Sequence, residues 1–308
     1  MAAKVFIDGE AGTTGLQIRD RLVGRDDIAL VSVAPERRKD PEARKDAFAE
    51  ADVAILCLPD EAAREAVTLC EGLNTKLIDA STAHRTDDAW AFGFPELAAG
   101  RRDAIAAAPR VSNPGCYSTC AIALLAPLTA AGLLPGDAAL SIFGISGYSG
   151  GGKSMIAEFE SGQASGSFVY ATGQTHKHLP EIVKYARLST TPIFAPSVGQ
   201  FAQGMVVQVP LFAAALPGRP DRAALHDALS RHYAGARFVT VRPLDAQVAR
   251  EDPRKLNGTN RMELAVLGDD ASGRLVLSAI LDNLGKGASG AAVQNLNLML
   301  GLDEGAGL

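Results

Sequence analysis

The chain predicts an α/β protein: a Rossmann-type, doubly wound dinucleotide-binding domain, then an α+β domain built on a mixed sheet. Three observations carry this expectation. Short apolar strands alternate with helical segments through the first third, and a glycine-rich turn follows the first strand. After Cys116 the strand candidates lengthen while the helices between them thin out.

Taken in order, residues 5–7 read as a strand, and the turn from Gly9 to Gly15 leads into a helix over 14–23. Residues 28–33 form a second strand. The run 53–58 is apolar throughout, as a parallel strand covered on both faces must be, and 76–79 is a fourth. In the second domain the strand candidates are 139–145, 205–211, 238–241, 262–267 and 274–281, with a polar helix over 221–232. Residues 288–300 have helical spacing and stop at Gly301, a fitting C-cap. The expected domains are 1–115, completed by a C-terminal helix in 288–308, and 116–287.

Composition sets outer limits. The chain has 308 residues, 47% of them hydrophobic and 21% charged, with a net charge of -5. At ~100–200 residues per domain there is enough chain for two cores. The acidic balance argues against nucleic acid or an anionic membrane as partner. The longest uncharged stretch, 111–136, is broken by Pro114, Pro127 and Pro135, so it does not read as a membrane span. From 111 to 152 the one charge is Asp137, which predicts burial. Four cysteines sit at no zinc spacing, so no metal is expected. Asp8 comes too early for a signal peptide, and a cytoplasmic location with reduced thiols follows.

The first turn reads Gly9-Glu10-Ala11-Gly12-Thr13-Thr14-Gly15. Its glycines let the backbone turn tightly and approach a pyrophosphate, which sits on the free amides of a helix N-terminus. Gly9, Gly12, Thr13, Thr14 and Gly15 are therefore cofactor-site candidates. After the second strand comes Glu36-Arg37-Arg38-Lys39. An acid there suits NAD; cations suit the 2′-phosphate of NADP, and Arg37 and Arg38 favour NADP. A second cluster, Gly147 to Ser154, matches the phosphate loop of nucleoside triphosphatases, which keeps a phosphotransferase as the alternative from another class. Its surroundings lack the strand–helix alternation of such a core. Ser149, Gly150 and Lys153 are better read as lining a second anion site.

The most informative run is Ser112-Asn113-Pro114-Gly115-Cys116. Asn-Pro-Gly is a turn, and an apolar helix starts at about Tyr117. Cys116 thus falls at a helix N-terminus, where the dipole stabilises thiolate and amides, with Asn113, can meet an oxyanion. A thiol nucleophile wants a base, and His176 and His178, sharing one face of an extended segment, are the candidates. Arg85, beyond the strand end at Asp79, is a candidate for a phosphate or carboxylate.

A dinucleotide site, an activated cysteine and an anion site together specify reduction of an acyl phosphate through a thioester. The chain resembles the N-acetyl-γ-glutamyl-phosphate reductases in their shorter form. The matching residues are Gly9–Gly15, Ile78-Asp79-Ala80-Ser81 with Arg85, Phe94-Pro95-Glu96-Leu97, 112–116, Gly144-Ile145-Ser146-Gly147, 176–181, Thr259-Asn260, and 281–288 leading into 293–297. The resemblance implies NADPH as cofactor and a small acyl-phosphate substrate in arginine biosynthesis, and the large second sheet domain leads to the expectation of a homodimer or homotetramer. It implies Cys116 as nucleophile and a histidine of His-x-His-x-Pro-Glu as acid/base, taken as His176. Pro59, Ser81, Gly150 and Asn283 complete the expected cofactor site. Arg85, Asn113, Ser149, Lys153 and His178 make up the substrate site. Asn283, Lys286, Gly287 and Gln294 are expected to approach the cleft. Aspartate-semialdehyde dehydrogenase, which shares the chemistry, is the nearer alternative.

Overall fold

Alternating strands and helices of the first third fold as their sequence demands. The computed structural model describes residues 2–246 and 248–308. The chain divides into two units: one comprises the chain up to Pro95, Ala99–Pro114 and Ala288–Leu308, the other Glu96–Ala98 and Gly115–Gly287.

The first unit contains β1 (Ala3–Asp8), α1 (Thr13–Leu22), β2 (Ile28–Val31), α2 (Pro41–Glu50), β3 (Val53–Leu56), α3 (Asp60–Leu69), β4 (Lys76–Asp79), β5 (Ala91–Phe92), α4 (Arg101–Ala107) and β6 (Arg110–Ser112). Its six strands are all parallel, in the order β2-β1-β3-β4-β6-β5. The order reverses between β1 and β3, which makes their carboxyl ends the switch point where such sheets hold ligands. Successive side chains serve opposite layers. Val5 and Ile7 pack with Ile18, Leu22, Ile105 and the C-terminal helix Gly290–Leu300, while Phe6 packs edge-on to Phe48 of α2 at 5.1 Å. Fully burying each such side chain contributes about 1.5–3 kcal/mol. Asp40 caps α2 by accepting from the Glu42 amide, with Pro41 in the first turn.

The second unit contains α5 (Cys116–Ala130), β7 (Ser141–Gly147), α6 (Gly152–Glu160), β8 (Phe168–Val169), α7 (Leu179–Tyr185), β9 (Ile193–Gly199), β10 (Met205–Phe212), α8 (Arg222–His232), β11 (Val239–Val241), β12 (Met262–Asp269) and β13 (Arg274–Leu281). The mixed sheet runs β11-β12-β13-β10-β7-β9-β8; β11/β12 and β7/β9 are parallel and the remaining pairs antiparallel. α5 is apolar on every side and buried on every side. It tolerates Pro127 because a neighbour replaces the missing bond: Pro127 has no N–H for the carbonyl of Ala123, and the Tyr233 hydroxyl donates to that carbonyl at 2.8 Å.

Candidate active site

In the first unit, β1 ends at Asp8 and the backbone turns at Gly9, whose φ is +88°. A Cβ there would collide with the Cys57 carbonyl, so only glycine allows the two strand ends to come so close. Gly15 is required for a similar reason: a Cβ would stand 2.6 Å from the Gly9 carbonyl. Gly12 is the N-cap of α1. No side chain caps the helix and its first turn, Thr13 and Thr14, carries no acid, which leaves its N-terminus fit for an anion. Beside it lies a cavity of about 460 Å³ with apolar walls from Val33, Leu58, Pro59 and Ala62, and cations from Arg38 and Lys39. Arg44 and the acids Asp8, Glu10 and Glu65 complete its charged lining.

Of the cation run, Arg37 turns away and pairs with Asp40 at 2.7 Å, while Arg38 and Lys39 face the cavity. Lys39 was therefore legible as part of the run, but only the short helical turn Pro35–Arg37 decides which side chains point inward. Asp8 also lines the cavity, buried and paired with Arg44 of α2 at 2.8 Å. Burial pushes its carboxyl above the ordinary range, against the lowering pull of Arg44.

Ser81 follows β4 and is held by Asp79, which accepts from both its amide and hydroxyl at 2.8 Å. The same carboxylate lies 2.7 Å from His84 Nδ1, whose ring stacks on Trp90 at 4.3 Å, so His84 is a packing residue. Arg85 is buried and donates to the carbonyls of Asn113 and Ala80. The Asn113 side chain donates to the Ala288 carbonyl and accepts from Asn295. Its amide ties that turn to the chain just before the C-terminal helix.

In the second unit, Cys116 is the first residue of α5, behind Gly115, with no side-chain cap and no acid in the first turn. Its neighbours form a ring cluster. The Tyr117 hydroxyl donates to the Ser197 carbonyl at 2.7 Å, and Tyr117 and Tyr170 are both pushed up, first by burial and also by the charge of Cys116. His176 stands 5.7 Å from the Tyr170 ring and 6.4 Å from Tyr117; His178 is 4.6 Å from His176. Cys116 and both histidines thus gather around the same two phenols. The backbone amide of His178 donates to His176 Nδ1 at 3.1 Å. A neutral His176 then carries its proton on Nε2, ready to donate. Gly144 makes room for the Tyr117 ring.

Glu181 is a functional side chain that the spacing alone did not assign. It is fully buried in α7 and accepts from the Gly115 amide at 3.3 Å, fixing the turn that presents Cys116. A carboxylate just past His-x-His-x-Pro, in an otherwise apolar helix turn, was the signal. The other thiols are held inert. Burial pushes Cys57 and Cys70 up to about 12, and Cys120 well up also.

The second glycine turn differs from its expected role. The amides of Gly147, Tyr148 and Ser149 donate to the carbonyls of Gly204, Phe201 and Ala202, so they cradle no phosphate. Asn283 donates to the buried Ser149 hydroxyl at 3.0 Å and accepts from the Gly204 amide at 2.7 Å. Ser149 and Asn283 therefore lock this turn, with Gly150 packed above the Asn283 amide. Lys153 is exposed in the first turn of α6. Lys286, expected near a cleft, is instead buried against Glu96 at 2.8 Å, and Gln294 donates to Glu304 at 2.7 Å. Gly287 lies against Cys116. Among the described residues no group of three or more His, Cys, Asp or Glu is placed to hold a metal ion, and no helix is long and apolar enough to cross a membrane.

A parallel sheet with an open helix N-terminus, and a mixed-sheet unit presenting a cysteine at the start of a buried helix, define a dehydrogenase of the semialdehyde class. Residues 32–108 match the model of the semialdehyde dehydrogenase NAD binding domain, and 116–283 that of the semialdehyde dehydrogenase dimerisation domain. N-acetyl-gamma-glutamyl-phosphate reductase of Brucella anthropi is 54% identical over 98% of this chain and 99% of its own; that of Brucella ovis is 53% identical over 98% and 100%. The fold is shared with aspartate semialdehyde dehydrogenase II of Vibrio cholerae (TM-score 0.72, 15% identity, 97% and 98% of the chains). It is shared also with the Candida albicans enzyme solved with NADP (TM-score 0.67, 14% identity, 97% and 99%). The chain belongs to the semialdehyde dehydrogenase family, among its N-acetyl-γ-glutamyl-phosphate reductases.

Proposed function

We propose that the chain reduces N-acetyl-L-glutamyl 5-phosphate to N-acetyl-L-glutamate 5-semialdehyde, with NADPH as reductant and release of phosphate, in arginine biosynthesis. The observation that carries this reading is Cys116 at the uncapped start of α5, in a chain 54% identical end to end to a reductase of that name. The Cys116 thiolate attacks the acyl carbon, and the first-turn amides of α5 receive the charge that develops on oxygen. Phosphate leaves with the electrons of the broken C–O bond, and the acyl group remains as a thioester. NADPH, when bound, supplies a hydride to that carbon. The C–S bond then breaks, returning the sulfur as thiolate and releasing the aldehyde. His176, with its proton on Nε2, donates to the departing phosphate and is reprotonated from water before the next turnover, which accounts for the one proton the reaction consumes.

The α1 N-terminus, Gly9, Gly12, Pro59, Arg38 and Lys39 would hold the dinucleotide, the two cations taking the 2′-phosphate that separates NADP from NAD. Lys153 and His178 are proposed for the substrate's anionic groups. Arg85, Asn113, Ser149, Ser81 and Asn283 act on the site through the backbone they fix. Phe143, Ile193 and Phe212 are exposed on one face of the mixed sheet, which supports a homo-oligomer formed through that face.

The test follows absorbance at 340 nm in the reverse direction, with N-acetylglutamate semialdehyde, phosphate and NADP⁺. Activity should require phosphate, be far weaker with aspartate semialdehyde, and fall by about 10⁴-fold or more in Cys116→Ser. Full activity in that variant would remove the mechanism.

A further inference from the structure

Glu96 and Lys286 are each 1% exposed, and Lys286 Nζ lies 2.8 and 2.9 Å from the two carboxylate oxygens. The ammonium stands 5.7 Å over the Phe238 ring, and His232 Nε2 lies 3.1 Å from the Glu96 carbonyl. Desolvating two such ions costs several kcal/mol each, and apolar replacements of equal volume are often as stable. The pair therefore has to be judged by what it fixes. Lys286 belongs to a π-helical turn, Gly285–Ser289, a wide geometry that clusters at functional sites. The next residue, Gly287, lies so close to the nucleophile that a Cβ on it would stand 2.8 Å from the Cβ of Cys116. On the other side, a Cβ on Gly285 would collide with the Thr259 carbonyl. The turn is thus gripped at three consecutive residues: two glycines in close backbone contact and, between them, a buried ion pair.

We propose that the Glu96–Lys286 pair is a positioning device for the nucleophile: it holds the π-helical turn so that the Gly287 backbone forms the wall against Cys116. The proposal rests on the thioester reading of Cys116. With the wall in place the thiol stays over the first-turn amides of α5; if the turn retreats, the sulfur gains room to leave them, and attack slows. Neither Glu96 nor Lys286 touches substrate in this account.

The variants are Lys286→Met, the double variant Glu96→Leu/Lys286→Met, and Gly287→Ala. Each is measured for thermal stability, kcat and KM, and the rate at which iodoacetamide labels Cys116, mapped by mass spectrometry. Lys286→Met takes the ammonium away from the buried Glu96 carboxylate and should lower the melting temperature. The double variant should recover most of that loss, yet keep a kcat about 10–100-fold below wild type, the scale of a displaced reacting group. Cys116 labelling should slow with it, while the KM for NADPH stays unchanged. Gly287→Ala, which leaves the pair intact, should show the same fall in kcat and labelling. A double variant with wild-type kcat and labelling would overturn the proposal, as would a lowered kcat with unaltered labelling. Labelling needs no substrate, so it decides the positioning claim even if Cys116→Ser proves active and the thioester reading fails.

Discussion

In the proposed function, single side chains of the first unit are what separate NADP from NAD. Arg38 and Lys39 face the cavity while Arg37 is held by Asp40. Charge-assisted bonds to a phosphate contribute about 1.5–3 kcal/mol each. Replacing both residues by alanine should raise the KM for NADP⁺ by about 10²–10⁴-fold and leave that for NAD⁺ within a factor of about two. Equal losses with both cofactors would show that the cations serve the fold alone. Cys116 was legible because its role depends on neighbours in sequence: Asn-Pro-Gly makes the turn and an apolar run makes the helix. The choice among Arg37, Arg38 and Lys39 was not, because a three-residue helical turn sets their directions.

Whole elements carry the second lesson, since the two glycine turns look alike as strings. Both lead into uncapped helices with no acid in the first turn; what separates them is that the second has the amides of Gly147, Tyr148 and Ser149 bonded to residues 201–204, a partner some fifty residues away that no local pattern announces. Strands β8 and β9 escaped the sequence reading for a related reason. They are stabilised by pairing with distant strands, and β9 carries Pro196 inside it. At this scale charge also organises the edge of the mixed sheet. Arg242, following β11, binds Glu251 and, on β12, Glu263; Lys255 binds Glu263 at 2.7 Å. Burial alone would raise the Glu263 carboxyl, but the bonds from Lys255 and Arg242 outweigh it and hold it below its ordinary 4.5. A carboxyl depressed in the folded state adds stability above its unfolded pKa and loses it as pH falls through the folded one. Glu263→Gln should therefore lower the melting temperature at pH 7, by about 2–4 °C for a loss of ~1 kcal/mol given partial exposure to water. The difference from wild type should shrink as pH drops below 4.5. A gap that is constant from pH 7 to pH 3 would show that packing, not ionisation, is lost.

For the molecule as a whole, Glu96–Ala98 falls in the mixed-sheet unit although the chain on either side of it falls in the other, and Glu96 pairs there with a lysine 190 positions later, which no local pattern announces. Assembly is a property of the same scale. In the mixed sheet, Ile142, Phe194, Val207 and Val209 are buried on one face. Register places Phe143 opposite Gln208 and Ser141 opposite Ile193, so Phe143, Ile193 and Phe212 share the other face, 47%, 60% and 65% exposed. Two phenylalanines and an isoleucine exposed on the same solvent face are unfavourable for an isolated monomer. A second copy stacked on that face would bury them, and a stable dimer needs about 1,200–2,000 Å² in all, which a seven-stranded sheet can provide. Light scattering on the eluting protein should give a mass of at least twice 32.1 kDa. Phe143→Asp/Phe212→Asp should move it to a single chain with the circular dichroism spectrum retained, because neither side chain belongs to the core. Val23→Asp, at a residue 59% exposed in the first unit, is the control and should leave the mass unaltered. A wild-type monomer, or an oligomer indifferent to both aspartates, would place the contact elsewhere and leave the exposed row without a partner.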